Sequence, residues 1–142
     1  MVTVVSAAIV NEKGKRLLLA QRSLNTSYGG LWCTPGGKVE KGETNHDALA
    51  HELREEIGFA GCLSPIPVVY SHKMKSTRTG EDVLVVCYRV EWPRKSVPLT
   101  IGDKTIGLGW FDVAGLYALY AARRLTPADE ANIDTLAALV CP

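Results

Sequence analysis

The chain is short of several features that mark common classes of protein. Sixteen lysines and arginines against fifteen aspartates and glutamates leave a formal charge of +1. These charges are scattered, so there is no basic stripe to track a nucleic-acid duplex, and a small anionic partner fits better than a polymer. No apolar run approaches the ~20 residues of a membrane-spanning helix. Cys33, Cys62, Cys87 and Cys141 are widely spaced and form no C-x-x-C pair, which makes buried reduced thiols their default reading. Met1 to Val10 is apolar but carries no basic leader or cleavage-like pattern. With the thiols, that favours a reducing cytoplasm. There is no internal repeat or low-complexity tract. The length of 142 residues suits one domain, 1–142, with a single sizeable core.

What is present reads as strands interleaved with a few helices. Val2 to Val10 and Arg16 to Gln21 are β-rich runs joined by a hairpin-like Asn11 to Lys15 connection. Leu31 to Thr34 reads as a short strand, Ile66 to Ser71 and Val83 to Trp92 as two more around a polar Lys73 to Asp82 turn region, and Gly107 to Phe111 as another. Asp112 is placed to cap a helix over Val113 to Ala122, and Thr126 with Pro127 to open a last helix ending near Val140. Composition and periodicity thus predict a mixed α/β domain without a regular strand-helix repeat.

The densest chemistry lies between Gly36 and Phe59. Thr44 is a good N-cap, Asp47 falls at the third helical position, and Ala48, Leu49, Leu53 and Ile57 recur at helical spacing, so a helix is predicted from about Asn45 to Ile57 with Gly58 closing it. On it Glu52, Glu55 and Glu56 stand at i, i+3 and i+4, three carboxylates within about one turn on one face. A Glu-rich face is usually just solvated. Three repelling carboxylates with no matched basic stripe also suit a hard divalent cation bound through oxygen, such as Mg²⁺. The preceding Thr34-Pro35-Gly36-Gly37-Lys38 stretch, read as a turn, favours the cation: its glycines allow close backbone approach, and Lys38 offers positive charge to a phosphate.

Gly37, five residues, Glu43, seven residues, then His51-Glu52-Leu53-Arg54-Glu55-Glu56-Ile57-Gly58-Phe59 resembles the box of the Nudix hydrolases. The resemblance implies an α/β/α sandwich around a mixed β-sheet. It also implies metal ligation by Glu52, Glu55, Glu56 and the main-chain carbonyl of Gly36, with Mg²⁺ as cofactor and Mn²⁺ as an alternative. Glu52 is then the leading group to orient or deprotonate the attacking water. The pattern has arginine where this chain has His51, a shorter and only partly charged residue that can donate a hydrogen bond to the box's carboxylates. His51 reads as a structural substitute rather than a ligand, since it lies about 100° around the helix from Glu52. Some family members take the base from a loop outside the box. Asp103 is the nearest candidate here, though a turn residue is its simpler reading.

The resemblance is closest to the MutT-like branch, which hydrolyses nucleoside triphosphates to monophosphate and pyrophosphate. Arg22, ending the second strand, matches that branch's phosphate-binding arginine. Asp129, in the Leu125 to Glu130 segment, matches a residue that contacts the base; the same residue would also suit the first turn of a Thr126-capped helix. Ionised aspartate only accepts hydrogen bonds, which favours bases bearing an amino group. Backbone groups of Cys33, Thr34 and Pro35 are further expected base contacts, and Tyr28, Trp32 and Trp110 offer ring surfaces that are more often core. Alternatives within this reading are a hydrolase of ADP-ribose, nucleotide sugars or dinucleoside polyphosphates, and a weakly active nucleotide sensor. The sequence leaves monomer and homodimer both open.

Overall fold

Period-two alternation in the apolar strands determines the layers of this protein. In the computed structural model, which describes residues 1–11, 15–59, 66–91 and 101–140, β1 (Val2–Val10), β2 (Leu17–Arg22) and β6 (Asp82–Glu91) carry apolar residues on both faces. Val5, Ala7, Ile9, Leu18, Val86, Tyr88 and Val90 point to one side, and Ala8, Val10, Leu17, Leu19, Val85 and Cys87 to the other. A strand apolar on both faces needs cover on both. The expected single core is therefore two cores, one on each side of the sheet.

Four shorter or more polar strands complete the sheet: β3 (Trp32–Cys33), β4 (Gly36–Lys38), β5 (Val68–Lys75) and β7 (Thr105–Phe111). The order is β3-β2-β1-β6-β5, with β4 also paired to β1 and β7 to β2. β1 and β6 run parallel from Val2↔Val83 to Val10↔Glu91, while β1–β2, β1–β4, β2–β3, β2–β7 and β5–β6 are antiparallel, so the sheet is mixed.

Helix α1 (Asn45–Ile57) covers the first face with Ala48, Leu49, Leu53 and Ile57, and its limits match the sequence expectation. Thr44 Oγ1 accepts from Asp47 N–H while the Asp47 carboxylate accepts from Thr44 N–H, a complete capping box. Gly58, at φ 71°, ends the helix in the left-handed region that glycine enters freely. Each fully buried leucine here contributes roughly 2 kcal/mol by area.

The second face is covered by α2 (Val113–Ala121), α3 (Pro127–Ala131) and α4 (Ile133–Leu139), through Leu116, Ala128, Ile133, Leu136 and Ala137. Asp112 caps α2, accepting from Gly115 N–H at 2.8 Å. The single last helix expected from Thr126 to Val140 is broken at Asn132, whose side-chain amide donates to the Ala128 carbonyl at 2.8 Å and so competes with the helical ladder. The result is an α/β/α sandwich.

Two further expectations change. β5 runs on to Lys75 instead of turning at Lys73, because its main chain pairs with β6 to Lys75↔Asp82 and those two side chains form a 2.8 Å ion pair across the strands. Gly36 to Lys38 is a strand, not a turn. Residues 12–14, Cys62, Trp92 and Cys141 lie outside the described residues.

Candidate functional site

The strand conformation of β4 explains its glycines. Gly36 and Gly37 pair with Ser6 and Val5 of β1, and neither lies at positive φ. A Cβ on Gly36 would sit 1.9 Å from the Val5 carbonyl oxygen, and one on Gly37 would sit 2.4 Å from the Glu52 carboxyl carbon. The paired glycines therefore admit β1 on one side and the acidic helix on the other. This close approach brings α1 against one end of a cavity of about 440 Å³, whose wall includes Arg22, Lys38, Glu52, Glu56, Lys104 and Asp129.

The three carboxylates of the helix are not equivalent. Glu52 and Glu56 border the cavity, whereas Glu55 is exposed on its flank. Glu56 Oε2 accepts one hydrogen bond, from Gly36 N–H at 3.2 Å. Desolvation, and after it the charge of Glu52, push the Glu56 carboxyl up to about 7. Burial and then Glu55 raise Glu52 as well. Carboxylates kept this close and this dry are stabilised by a cation among them.

His51 occupies the gap between two acids. Its Nε2 lies 3.0 Å from Glu55 and its Nδ1 3.9 Å from Glu43, whose other oxygen accepts from Glu40 N–H at 2.9 Å. Donor atoms of His51, Glu52 and Glu55 also lie within 4.8 Å of one another, a grouping that could hold a metal ion. Its two carboxylates, with Glu56 next along the same face, form an oxygen-rich set suited to a hard divalent cation.

Arg22 stands where β2 ends, at an irregularity in its pairing with β7, and its Nε donates to the Ser27 carbonyl at 2.6 Å. Its guanidinium also acts on Glu56 and on Cys33. Cys33, half-buried, and Cys87, buried, are both free thiols, and desolvation foremost pushes each up to about 12, so both stay protonated near neutral pH. Lys38 lines the cavity from the end of β4.

Asp129 is only 2% exposed. Residues 124–126 are stitched to the edge of β3, with Trp32 N–H donating to the Arg124 carbonyl at 2.7 Å and Thr126 N–H to the Trp32 carbonyl at 3.0 Å. This delivers the first turn of α3 beneath Thr34. The Asp129 carboxylate accepts from Thr34 N–H at 2.7 Å, Tyr70 O–H at 2.6 Å, Thr34 Oγ1 at 3.1 Å and Thr126 Oγ1 at 3.4 Å. Thr126 makes no capping bond of its own. Burial raises the Asp129 carboxyl, and these donors pull it back down.

Among the other expected base contacts, the Thr34 N–H is thus committed to Asp129, and the Pro35 carbonyl accepts from Ala7 N–H at 2.8 Å. Tyr28 lines the cavity, while Trp32 packs edge-on against Phe111 at 5.2 Å and Trp110 lies against the α1-side core. Asp103 is an exposed turn residue outside the cavity wall; its neighbour Lys104 lines the wall. Sequence reasoning missed Lys104, Tyr70 and Arg78, all in that wall. Only Tyr70 had a local signal, an apolar-face position in a half-buried strand.

The pattern of the NUDIX domain matches residues 1–135, and the chain belongs to the Nudix family. It is 52% identical over 55 residues to a CTP pyrophosphohydrolase of Escherichia coli, a match covering 39% of this chain and 40% of that protein. The chain thus spans well under half the length of that relative. A longer match is to nucleoside triphosphatase NudI of Escherichia fergusonii, 30% identical over 131 residues, with 87% of this chain and 92% of that one covered. The solution structure of the E. coli ORF135 protein superposes with a TM-score of 0.74 at 30% identity, over 98% of this chain and 90% of that chain. Among the described residues no helix is long and apolar enough to cross a membrane.

Proposed function

We propose that this protein is a pyrophosphohydrolase of nucleoside triphosphates, releasing the monophosphate and pyrophosphate with Mg²⁺ as cofactor and Mn²⁺ as a substitute. The observation that carries this reading is the convergence of Glu52 and Glu56, both raised by burial, with Arg22 and Lys38 around one cavity. Glu52, Glu55, Glu56 and the Gly36 carbonyl would hold the metal, which supplies charge neutralisation at the phosphates and a more acidic water. Arg22 and Lys38 bind phosphate oxygens. Glu52 orients the attacking water and takes its proton, and Gly36 N–H keeps Glu56 turned toward the cavity.

On the same cavity wall, Asp129 accepts from an exocyclic amino group of the base. An ionised carboxylate has about four acceptor sites. Four donors already occupy them, so the base displaces the longest, Thr126 Oγ1 at 3.4 Å. Cys33, Thr34 and Pro35 form the edge along which the base lies. The similarity to a CTP pyrophosphohydrolase and a nucleoside triphosphatase supports this substrate class.

The test is a product-resolved panel of NTPs, dNTPs, oxidised nucleotides, ADP-ribose and nucleotide sugars with Mg²⁺. Pyrophosphate released from triphosphates is the expected outcome. Turnover confined to ADP-ribose or sugar nucleotides overturns the reading.

A further inference from the structure

Lys104 borders the cavity beside Glu52, Glu56 and Arg22, yet the chemistry above gives it no role. Its backbone is pinned from two sides. Gly102 N–H donates to the Glu56 carbonyl at the end of α1, and the Lys104 carbonyl accepts from Ser23 N–H just past β2, both at 3.0 Å. Gly102 fits there because it lacks a side chain: a Cβ would lie 2.7 Å from the Glu55 carbonyl oxygen. The segment before β7 is thereby clamped between the acidic helix and the strand that ends at Arg22. A lysine with no family signal in sequence is held at the same cavity end as the carboxylates.

An ammonium group there can serve either to shield the carboxylates from one another or to receive an anion. Shielding is the weaker account. Lys104 is exposed and forms no ion pair among the described residues, and its pull on Glu52 and Glu56 is secondary to their desolvation and to the repulsion each feels from a neighbouring glutamate, Glu55 for Glu52 and Glu52 for Glu56. A divalent cation bound by the carboxylates would make such shielding redundant and leave the lysine's charge uncompensated. We propose that Lys104 binds the polyphosphate of the substrate, as a cation additional to Arg22 and Lys38. This assignment rests on the triphosphate reading of the cavity, and it names a residue outside the glycine strand and the acidic helix.

The test compares wild type, Lys104→Gln and Lys104→Arg in three measurements: calorimetric binding of inorganic pyrophosphate with Mg²⁺, Mn²⁺ binding by electron paramagnetic resonance without phosphate, and kcat and KM for the best triphosphate. Lys104→Gln should weaken pyrophosphate binding about tenfold, the loss of one hydrogen bond to a charged group. Mn²⁺ affinity should hold or tighten, and Lys104→Arg should stay near wild type. Unchanged pyrophosphate affinity in Lys104→Gln overturns the proposal. So does a parallel fall in Mn²⁺ affinity, which would make Lys104 part of the carboxylate scaffold. A wild type that turns over no triphosphate sinks the function proposed above, while pyrophosphate binding still decides the role of Lys104.

Discussion

Glu56 and Asp129 are two carboxylates on the wall of one cavity, both withdrawn from solvent and both raised by desolvation before any other cause. Their surroundings differ. Glu56 accepts a single backbone hydrogen bond and has Glu52 as a repelling neighbour. Asp129 has hydrogen-bond donors from Thr34, Tyr70 and Thr126. Burial alone therefore does not mark function. The acidic helix thus presents carboxylates that repel one another, whereas the Asp129 carboxylate is supplied with donors by the protein itself, of which the proposed base contact would displace only the longest.

The largest test of that contrast is Glu56→Gln. It should lower kcat by about 10³-fold or more while leaving the melting temperature of the metal-free protein unchanged or higher, since a buried repelling charge is removed. Pyrophosphate release and thermal unfolding measure the two halves, and wild-type turnover in this variant would break the comparison. Asp129→Ala should instead cost about 3 kcal/mol of stability in urea because it strands buried Thr34 and Tyr70 donors. Wild-type stability there would mean the network contributes nothing.

The pH dependence sharpens the comparison further. In the folded, metal-free protein Glu56 holds its proton up to about pH 7, against an ordinary value of 4.5. Its contribution is thus present at the acid end and lost as pH rises through about 7, so metal-free wild type should lose stability relative to Glu56→Gln between those values. On the proposed function Mg²⁺ would compete with that proton, and its affinity should then rise about tenfold per pH unit up to about pH 7. A Mg²⁺ affinity flat across that window would remove Glu56 from the metal site. The smallest effect is expected from His51→Arg. Because His51 and its nearer partner Glu55 are both exposed, replacing His51 should change Mg²⁺ affinity and kcat no more than about threefold. A gain well beyond tenfold would identify His51 as what limits this box.

Legibility in the sequence followed the range of the interaction. Helix α1 was readable to the residue because its determinants act within one turn: the Thr44 and Asp47 capping box, the spacing of Leu49, Leu53 and Ile57, and Gly58 at positive φ. The β4 glycines misled for the same reason. Locally, a Gly-Gly pair signals a turn, but here it is needed for contacts with Val5 and Glu52 that the local sequence does not contain. The last helix was misread where the Asn132 side chain turned back on its own backbone.

By itself the sequence determined the alternation of strands and helices, the three carboxylates on one helical face, and the family to which they belong, because periodicity, caps and motif spacing are properties of neighbouring residues. Only the tertiary structure decided which acids face the cavity, that Asp129 bonds Thr34 across 95 residues, and that Lys104 rather than Asp103 lines the cavity with Glu52 and Glu56. Those relations depend on how the sheet and its two helical layers close on one another, and desolvation, which raises the acids, exists only once they have closed.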